Sequence, residues 1–140
     1  MAITAAVCNS YKKEVLDGVH LAADTYKIAL FVSAATLSKS TTAYAATNEV
    51  PNGNGYTTGG ATLAGFTTAL DTDTAVLDWT TDPSWPAATI TARGALIYNS
   101  TRSNKAVAVL DFGADIVSTN GTFTVTFPAA TAAAGLVRIA

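Results

Sequence analysis

The residues that could do chemistry in this sequence are few, and they form no recognised catalytic set. His20 is the only histidine and Cys8 the only cysteine among the 140 residues. Nucleophilic catalysis of the Ser-His-Asp type needs a matching nucleophile motif such as Gly-x-Ser-x-Gly, which the chain lacks. We therefore predict no catalytic residue. We expect His20 to lie just beyond a helix and to interact with the last carbonyl groups of that helix.

Neighbouring carboxylates are the other candidate chemistry. Asp71, Asp73 and Asp78 could begin a calcium loop, because calcium prefers hard oxygen ligands. The loop pattern is incomplete, since no glycine stands at its sixth position and no glutamate closes it, so we expect a turn between strands. A hydrolase site with paired carboxylates stays an alternative. One thiol cannot form a cysteine metal site, so we predict no metal and no cofactor. A disulfide between Cys8 of two copies stays open.

The low content of charged residues limits the kinds of molecule that the chain is expected to bind. Charged residues make up 13% of the chain and the formal net charge is −2, whereas binding of nucleic acid requires clustered Lys and Arg. The longest apolar stretch, residues 28–35, is too short for a membrane-spanning helix, and the N-terminus lacks a secretory signal pattern. We expect neither nucleic acid nor membrane as a partner. We expect a protein made and kept in a cytoplasm, or in a particle assembled there.

Hydrophobic periodicity predicts one helix followed by strands. Apolar residues recur at helical spacing over residues 4–18, with Thr4 as the expected N-cap and Gly18 as the expected C-terminal stop. From Thr25 the period changes to two, which predicts a strand over residues 26–32. Phe31 lies on the face opposite the main apolar side chains, so we expect this strand to be covered on both sides.

Short strands are expected through the second half of the chain, at residues 62–67, 74–80, 88–98, 105–112, 121–127 and 135–139. Residues 82–86 are predicted to form a turn, Gly94 a bulge, and Asn120-Gly121 the start of a hairpin. Phe123, Val125 and Phe127 should point inward. We predict a single all-β domain over residues 1–140, an antiparallel jelly-roll-like sandwich with a short N-terminal helix. An immunoglobulin-like sandwich is the alternative.

A long loop is the candidate interaction site. Residues 36–61 are rich in Thr, Ser, Asn and Gly, and loops of this length in a compact domain are usually functional or disordered. We predict that Val50–Gly60 contacts another protein, and the candidate interface residues are Gly53, Gly55, Tyr56, Gly59 and Gly60. The glycines would let the backbone approach a second chain closely, and Tyr56 would anchor the contact. A mobile surface loop is the alternative.

Several segments resemble small structural proteins of tailed phages. These are Ala6–His20, Asp24–Phe31, Tyr44, Asn48-Glu49-Val50 and the motif Gly53-Asn54-Gly55-Tyr56-Thr57-Thr58-Gly59-Gly60. In particular, the chain resembles the head cement proteins of short-tailed phages. The resemblance implies a jelly roll on the exterior of a capsid, clamped over a shell of HK97-like major capsid protein, and a homodimer. It implies synthesis in the host cytoplasm and no enzymatic activity.

A tail-associated receptor-binding or glycan-binding module is the alternative function. Four aromatic residues could stack on a sugar, although aromatic side chains more often fill cores or interfaces. They are Tyr56, Trp79, Trp85 and Tyr98.

Overall fold

Strands dominate the computed structural model, which describes residues 2–139. In chain order the elements are β1 (Ala6–Val7), α1 (Asn9–Leu16), β2 (Tyr26–Phe31), β3 (Ala61–Thr62), β4 (Ala64–Asp71), β5 (Thr74–Thr81), β6 (Ser84–Asn99), β7 (Lys105–Thr124) and β8 (Val137–Ile139). A short 3-10 helix, Ser100–Arg102, lies between β6 and β7. None of the helices within residues 2–139 has the length and apolar character needed to cross a membrane.

The strands form two antiparallel sheets that pack face to face. Among residues 2–139, one sheet has the order β1-β7-β6-β2-β3 and the other the order β4-β5-β8. The sheets meet through aromatic side chains, since the ring of Tyr26 on β2 lies 5.4 Å from Phe66 and 5.5 Å from Trp79. The predicted all-β antiparallel sandwich is confirmed. The jelly-roll order of strands is not confirmed, because β4–β5 and β6–β7 are plain hairpins.

The helix is shorter than predicted at its N-terminal end. Thr4 is not its N-cap, because the Thr4 amide donates to the Leu37 carbonyl at 2.9 Å and Ala6–Val7 pairs with β7. Apolar side chains at these positions can pack on an edge strand as well as on one face of a helix. Pairing with β7 selects the strand. Gly18 does end the helix, with φ of 74°. The amides of Gly18 and Val19 donate back to the helix in a Schellman motif.

Strand β2 has side chains buried on both faces, as the sequence predicts, and Phe31 is buried. The stretch predicted as one strand, residues 62–67, is divided between the sheets. Thr62 pairs with Lys27 of β2, and Ala64 pairs with Thr81 of β5. Leu63 is buried at the crossing, where its amide donates to the Tyr26 carbonyl at 2.9 Å.

The long β6–β7 hairpin differs from the expected three strands. Residues predicted as separate strands, 105–112 and 121–127, belong largely to the continuous strand β7. Asn120-Gly121 does not open a hairpin, because Gly121 pairs with Ala88 across the ladder. The polar and glycine residues that indicate a break are accommodated by bulges, one of them beside Gly94 as predicted. The expected turn at residues 82–86 shrinks to Asp82-Pro83.

The inward alternation at the end of this hairpin is confirmed. Phe123, Val125 and Phe127 are buried, whereas the threonines between them are exposed. Residues 32–60 contain no helix or strand, which agrees with the long loop expected from residue 36.

Candidate functional site

The Val50–Gly60 loop is folded around a two-residue turn. The amide of Gly53 donates to the Tyr56 carbonyl at 2.7 Å, and the Tyr56 amide donates to the Gly53 carbonyl at 3.0 Å. The central residues Asn54 and Gly55 have φ of 52° and 90°, which is the backbone of a type I′ hairpin turn. The turn is fixed to β6 because the Thr89 amide donates to the Asn54 carbonyl at 2.9 Å.

Tyr56 lies in the core instead of on the surface. It is 2% exposed, and its ring packs 5.9 Å from Trp85. Its hydroxyl donates to Glu49 Oε1 at 2.6 Å and accepts from the Leu30 amide at 2.9 Å. Burial, followed by the hydrogen bond to Glu49, raises the pKa of Tyr56 above its ordinary value. The expected surface anchor is therefore corrected, because this ring and hydroxyl are already used within the chain.

Glu49 is the buried centre that holds the loop. Its carboxylate accepts from Tyr56, from the Tyr44 hydroxyl at 2.5 Å and from the Gly59 amide at 2.7 Å. Tyr98 completes the cluster, since its hydroxyl donates to the Gly59 carbonyl at 2.6 Å and its ring stacks on Tyr44 at 4.4 Å. Burial raises the pKa of Tyr98 to about 12. A buried carboxylate needs such donors, because an unpaired charge away from water is costly.

The signal for Glu49 was present in the sequence but was not used. Glu49 is the only carboxylate residue between residues 25 and 70. Glu49 is also the only charged residue within residues 40–70, and a lone acid in a stretch rich in threonine and tyrosine is a candidate for burial with hydroxyl donors. The tertiary fold is what brings Tyr98 to this point, and no local spacing reveals it.

The glycines of the motif approach their own chain. A Cβ on Gly60, which has φ of 80°, would overlap the Ile28 carbonyl group. A Cβ on Gly55 would lie 2.7 Å from the Ala88 Cα. Gly59 is buried beneath the loop, and Gly53 alone of the four faces open space. The missing side chains of Gly55 and Gly60 thus make room for β6 and β2 of the same chain, and contact of these glycines with a second chain stays a prediction.

The surface that the loop presents is small, polar and rigidly held. Its exposed residues are Pro51, Asn52, Gly53, Asn54, Gly55, Thr57 and Thr58. The Asn52 side chain accepts from the Thr58 amide at 3.0 Å and so closes the loop across its base. We refer to these seven residues as the loop surface.

Comparison of the chain with protein-family models, curated proteins and solved structures finds no match.

His20 is structural in its contacts, but its partners differ from those expected. Its Nε2 lies 3.0 Å from Glu14 Oε1 and its Nδ1 lies 3.0 Å from Asn99 Nδ2, so it does not cap the last helix carbonyls. Asn99 Oδ1 accepts from the amides of Thr101 and Arg102. This orientation makes the Asn99 amide nitrogen the donor to His20 Nδ1 and places the imidazole proton on Nε2. The side chain of His20 is 2% exposed, and both its nitrogens have partners.

The same cluster contains two paired carboxylates. Arg102 donates to both oxygens of Asp24 at 2.9 Å, and this pairing holds the pKa of Asp24 well below its ordinary value. Burial raises the pKa of Glu14, but hydrogen bonds from His20 and Lys105 outweigh burial and leave it below its ordinary value. The Glu14–Lys105 pair ties α1 to the start of β7, and the Asp24–Arg102 pair ties the segment after α1 to the β6–β7 connection.

The remaining candidate groups are also engaged in the fold. Trp79 and Trp85 are buried, so neither offers an open face for a sugar.

Cys8 is buried and burial raises its pKa to about 11, so in this structure its thiol is not placed to bridge two copies. Asp71 ends β4 and Asp73 lies in the two-residue β4–β5 turn, as predicted, whereas Asp78 lies on β5. No cluster of three His, Cys, Asp or Glu residues suited to a metal is found within residues 2–139.

Proposed function

We propose that the chain is a structural protein of a tailed-phage virion, a cement protein that binds and stabilises a shell of HK97-like major capsid protein from the capsid exterior. The resemblance in the first half of the chain supports this proposal. The proposal includes synthesis in the host cytoplasm and assigns the chain no reaction, no metal and no cofactor.

The observation that carries the proposal is the way the motif Gly53–Gly60 is built. Glu49 and Tyr56 fix the loop from beneath, while Asn52, Asn54 and Thr57 lie on its exposed side. A preorganised loop loses little conformational entropy when it binds, and this favours a binding surface. The motif that resembles cement proteins is therefore the one that displays the loop surface.

Repetition makes a modest contact of this kind effective. A cement protein occupies many equivalent positions, and copies that are linked through a shared shell or through each other gain from multivalent binding. A polar contact with few charges also fits a binding site that closes over an assembled neighbour, since charged residues are depleted from the centres of interfaces.

A tail-associated receptor-binding or glycan-binding module is the second candidate. The exposed Asn and Thr side chains of the loop surface are hydrogen-bonding groups of the kind that also recognise sugars. A glycan array with the intact protein distinguishes this candidate, which requires saturable binding to a defined glycan, from the cement role.

The test of the cement role is binding to phage heads that lack the protein. Thr57→Arg places a large cation on the loop surface, and Thr72→Arg places the same group on the exposed β4–β5 turn as a matched control. We expect Thr57→Arg to weaken head binding by at least about tenfold, the loss typical of a central interface position, while Thr72→Arg binds as the unaltered protein does. Equal binding of both variants, or no binding of the unaltered protein, would contradict the proposal.

A further inference from the structure

An apolar groove opens along the side of the sandwich where both sheets have a free edge. Strand β1 is the edge of the five-stranded sheet, and β8 is an edge of the three-stranded sheet. Helix α1 lies beside them, and the groove of about 490 Å³ is lined from α1 by Val15 and Leu16 and from β8 by Val137 and Ile139. Leu16 is 88% exposed and Ile139 54% exposed. Large aliphatic side chains this open usually mark an interaction site when they are contiguous.

Within residues 2–139, the charged side chains that line the groove are the cations Lys12 and Arg138. Arg138 donates to the carbonyls of Ala132 and Ala133, and Lys12 reaches the Asn9 side chain at 3.4 Å. Within residues 2–139 neither cation is in a salt bridge. A partner for this groove should therefore combine an aliphatic side chain with a carboxylate.

The chain itself displays such a segment. Residues 111–117 of β7, which we call the acidic segment, contain Asp111, Asp115, Ile116 and Val117. Val117 is 62% exposed and Ile116 45% exposed. The β6–β7 ladder is irregular at residues 112–115 and resumes at Ile116, which pairs with Ala92. Asp115 and Val117 stand on either side of Ile116, and this two-residue spacing places their side chains on one face. Among the described residues, Asp115 has no ion pair.

The acidic segment also lies on a free edge. Strand β1 pairs with β7 only at Ala108 and Val109, so in the described part of the chain the outer side of β7 beyond Asp111 has no neighbouring strand. The groove and the acidic segment thus follow the same edge of the sandwich. Asp111 is paired with Arg93 at 3.7 Å, so Asp115 supplies the charge that is opposite to Lys12 and Arg138.

We propose that a second copy of this chain fills the groove, with Val117 of each copy packed between α1 and β8 of the other and Asp115 beside Lys12 and Arg138. Because both surfaces lie along one edge, a two-fold axis lets the two contacts form together. Such a pairing is isologous, since each residue contacts the same partner on both copies. The inference is independent of the virion role, because it concerns copies of the chain alone.

Two variants test the two surfaces of this contact separately, one in the groove and one in the acidic segment. Leu16→Ser alters the groove, and Leu21→Ser is its matched control, because Leu21 is an exposed leucine that does not line the groove. Val117→Lys alters the acidic segment, and Thr47→Lys is its control at an exposed loop residue that lines neither the groove nor the pocket beside Ile116. Circular dichroism and thermal unfolding first establish that all four variants are folded.

Sedimentation equilibrium over a range of concentrations then gives the dimer dissociation constant. We expect Leu16→Ser and Val117→Lys each to weaken dimerisation by at least about tenfold, and neither control to change it. Added salt should weaken the unaltered dimer, because screening reduces the attraction between Asp115 and the cations.

The decisive experiment mixes the Leu16→Ser protein with the Val117→Lys protein. Each supplies the half that the other lacks, so an equimolar mixture should form a heterodimer with one intact contact, at lower protein concentration than either variant alone dimerises. The inference is overturned by an unaltered protein that is monomeric throughout. It is equally overturned by a dimer that Val117→Lys leaves unchanged, or by a mixture that associates no better than its components.

Discussion

The Tyr56 hydroxyl lies 2.6 Å from Glu49 Oε1, and this hydrogen bond joins the candidate interaction loop to the core. It makes Tyr56 a residue that positions the loop surface instead of touching a partner. The distinction matters, because a change at Tyr56 then alters stability before it alters binding.

Replacing Tyr56 with phenylalanine tests this relationship. Tyr56→Phe keeps the ring but leaves Glu49 and the Leu30 amide each short of one partner, so we expect the free energy of unfolding to fall by about 2–3 kcal/mol. Tyr98→Phe removes only a donor to a neutral carbonyl, and we expect a loss of about 1 kcal/mol. Urea unfolding measures both values. A Tyr56→Phe protein as stable as the unaltered chain would show that the hydroxyl has no role within the fold.

The two ends of the motif should respond differently to a methyl group. Gly60→Ala would force a Cβ onto the Ile28 carbonyl at a positive φ, and we expect a loss of about 3–4 kcal/mol. Gly53→Ala also has a positive φ but faces open space, so we expect a loss of about 1–2 kcal/mol. Thermal unfolding of the two variants compares the cost of backbone strain plus a steric clash, in Gly60→Ala, with the cost of backbone strain alone, in Gly53→Ala. Equal destabilisation would mean that β2 does not approach Gly60 as described.

Acid should destabilise the fold through Asp24. Its pKa is lower in the folded chain than its ordinary value of 3.8, so its stabilising contribution is fully present above that pH and is lost as the pH falls further. We expect Asp24→Asn to lower the free energy of unfolding at neutral pH, because Arg102 then loses the carboxylate that accepts its two hydrogen bonds. We also expect a shallower decline of this variant below pH 3.8.

Unfolding curves between neutral pH and the acid limit measure this effect. Asp73→Asn, at the exposed β4–β5 turn, serves as the control and should follow the unaltered chain. Parallel acid curves for Asp24→Asn and the unaltered chain would exclude Asp24 as the group responsible.

Patterns that depend on neighbours in sequence predicted the fold well. The alternation at Phe123, Val125 and Phe127 gave the buried face of the last long strand, and Gly18 gave the end of the helix. The predicted start of the helix was wrong because Val7, an apolar residue of the expected helical stripe, suits an edge strand equally well. Only its pairing partner β7 decides between these structures.

The candidate site was harder to predict because its determinants are distant in sequence. The glycine and asparagine content of residues 53–60 correctly indicated tight turns. The same content made Tyr56 look like an isolated aromatic on a loop, although Leu30, Glu49 and Trp85 enclose it. The contacts of His20 with Asn99 likewise join residues 79 positions apart, which no local spacing can show.

The most direct test of the proposed cement role is an electron cryomicroscopy reconstruction of tailed-phage particles produced with this chain. The cement role predicts a two-layered β-sandwich on the outer surface of the capsid, repeated with the shell symmetry, with the Pro51–Thr58 side of the molecule turned toward the major capsid protein. Density for the sandwich at the tail alone, or its absence from the particle, would contradict the account.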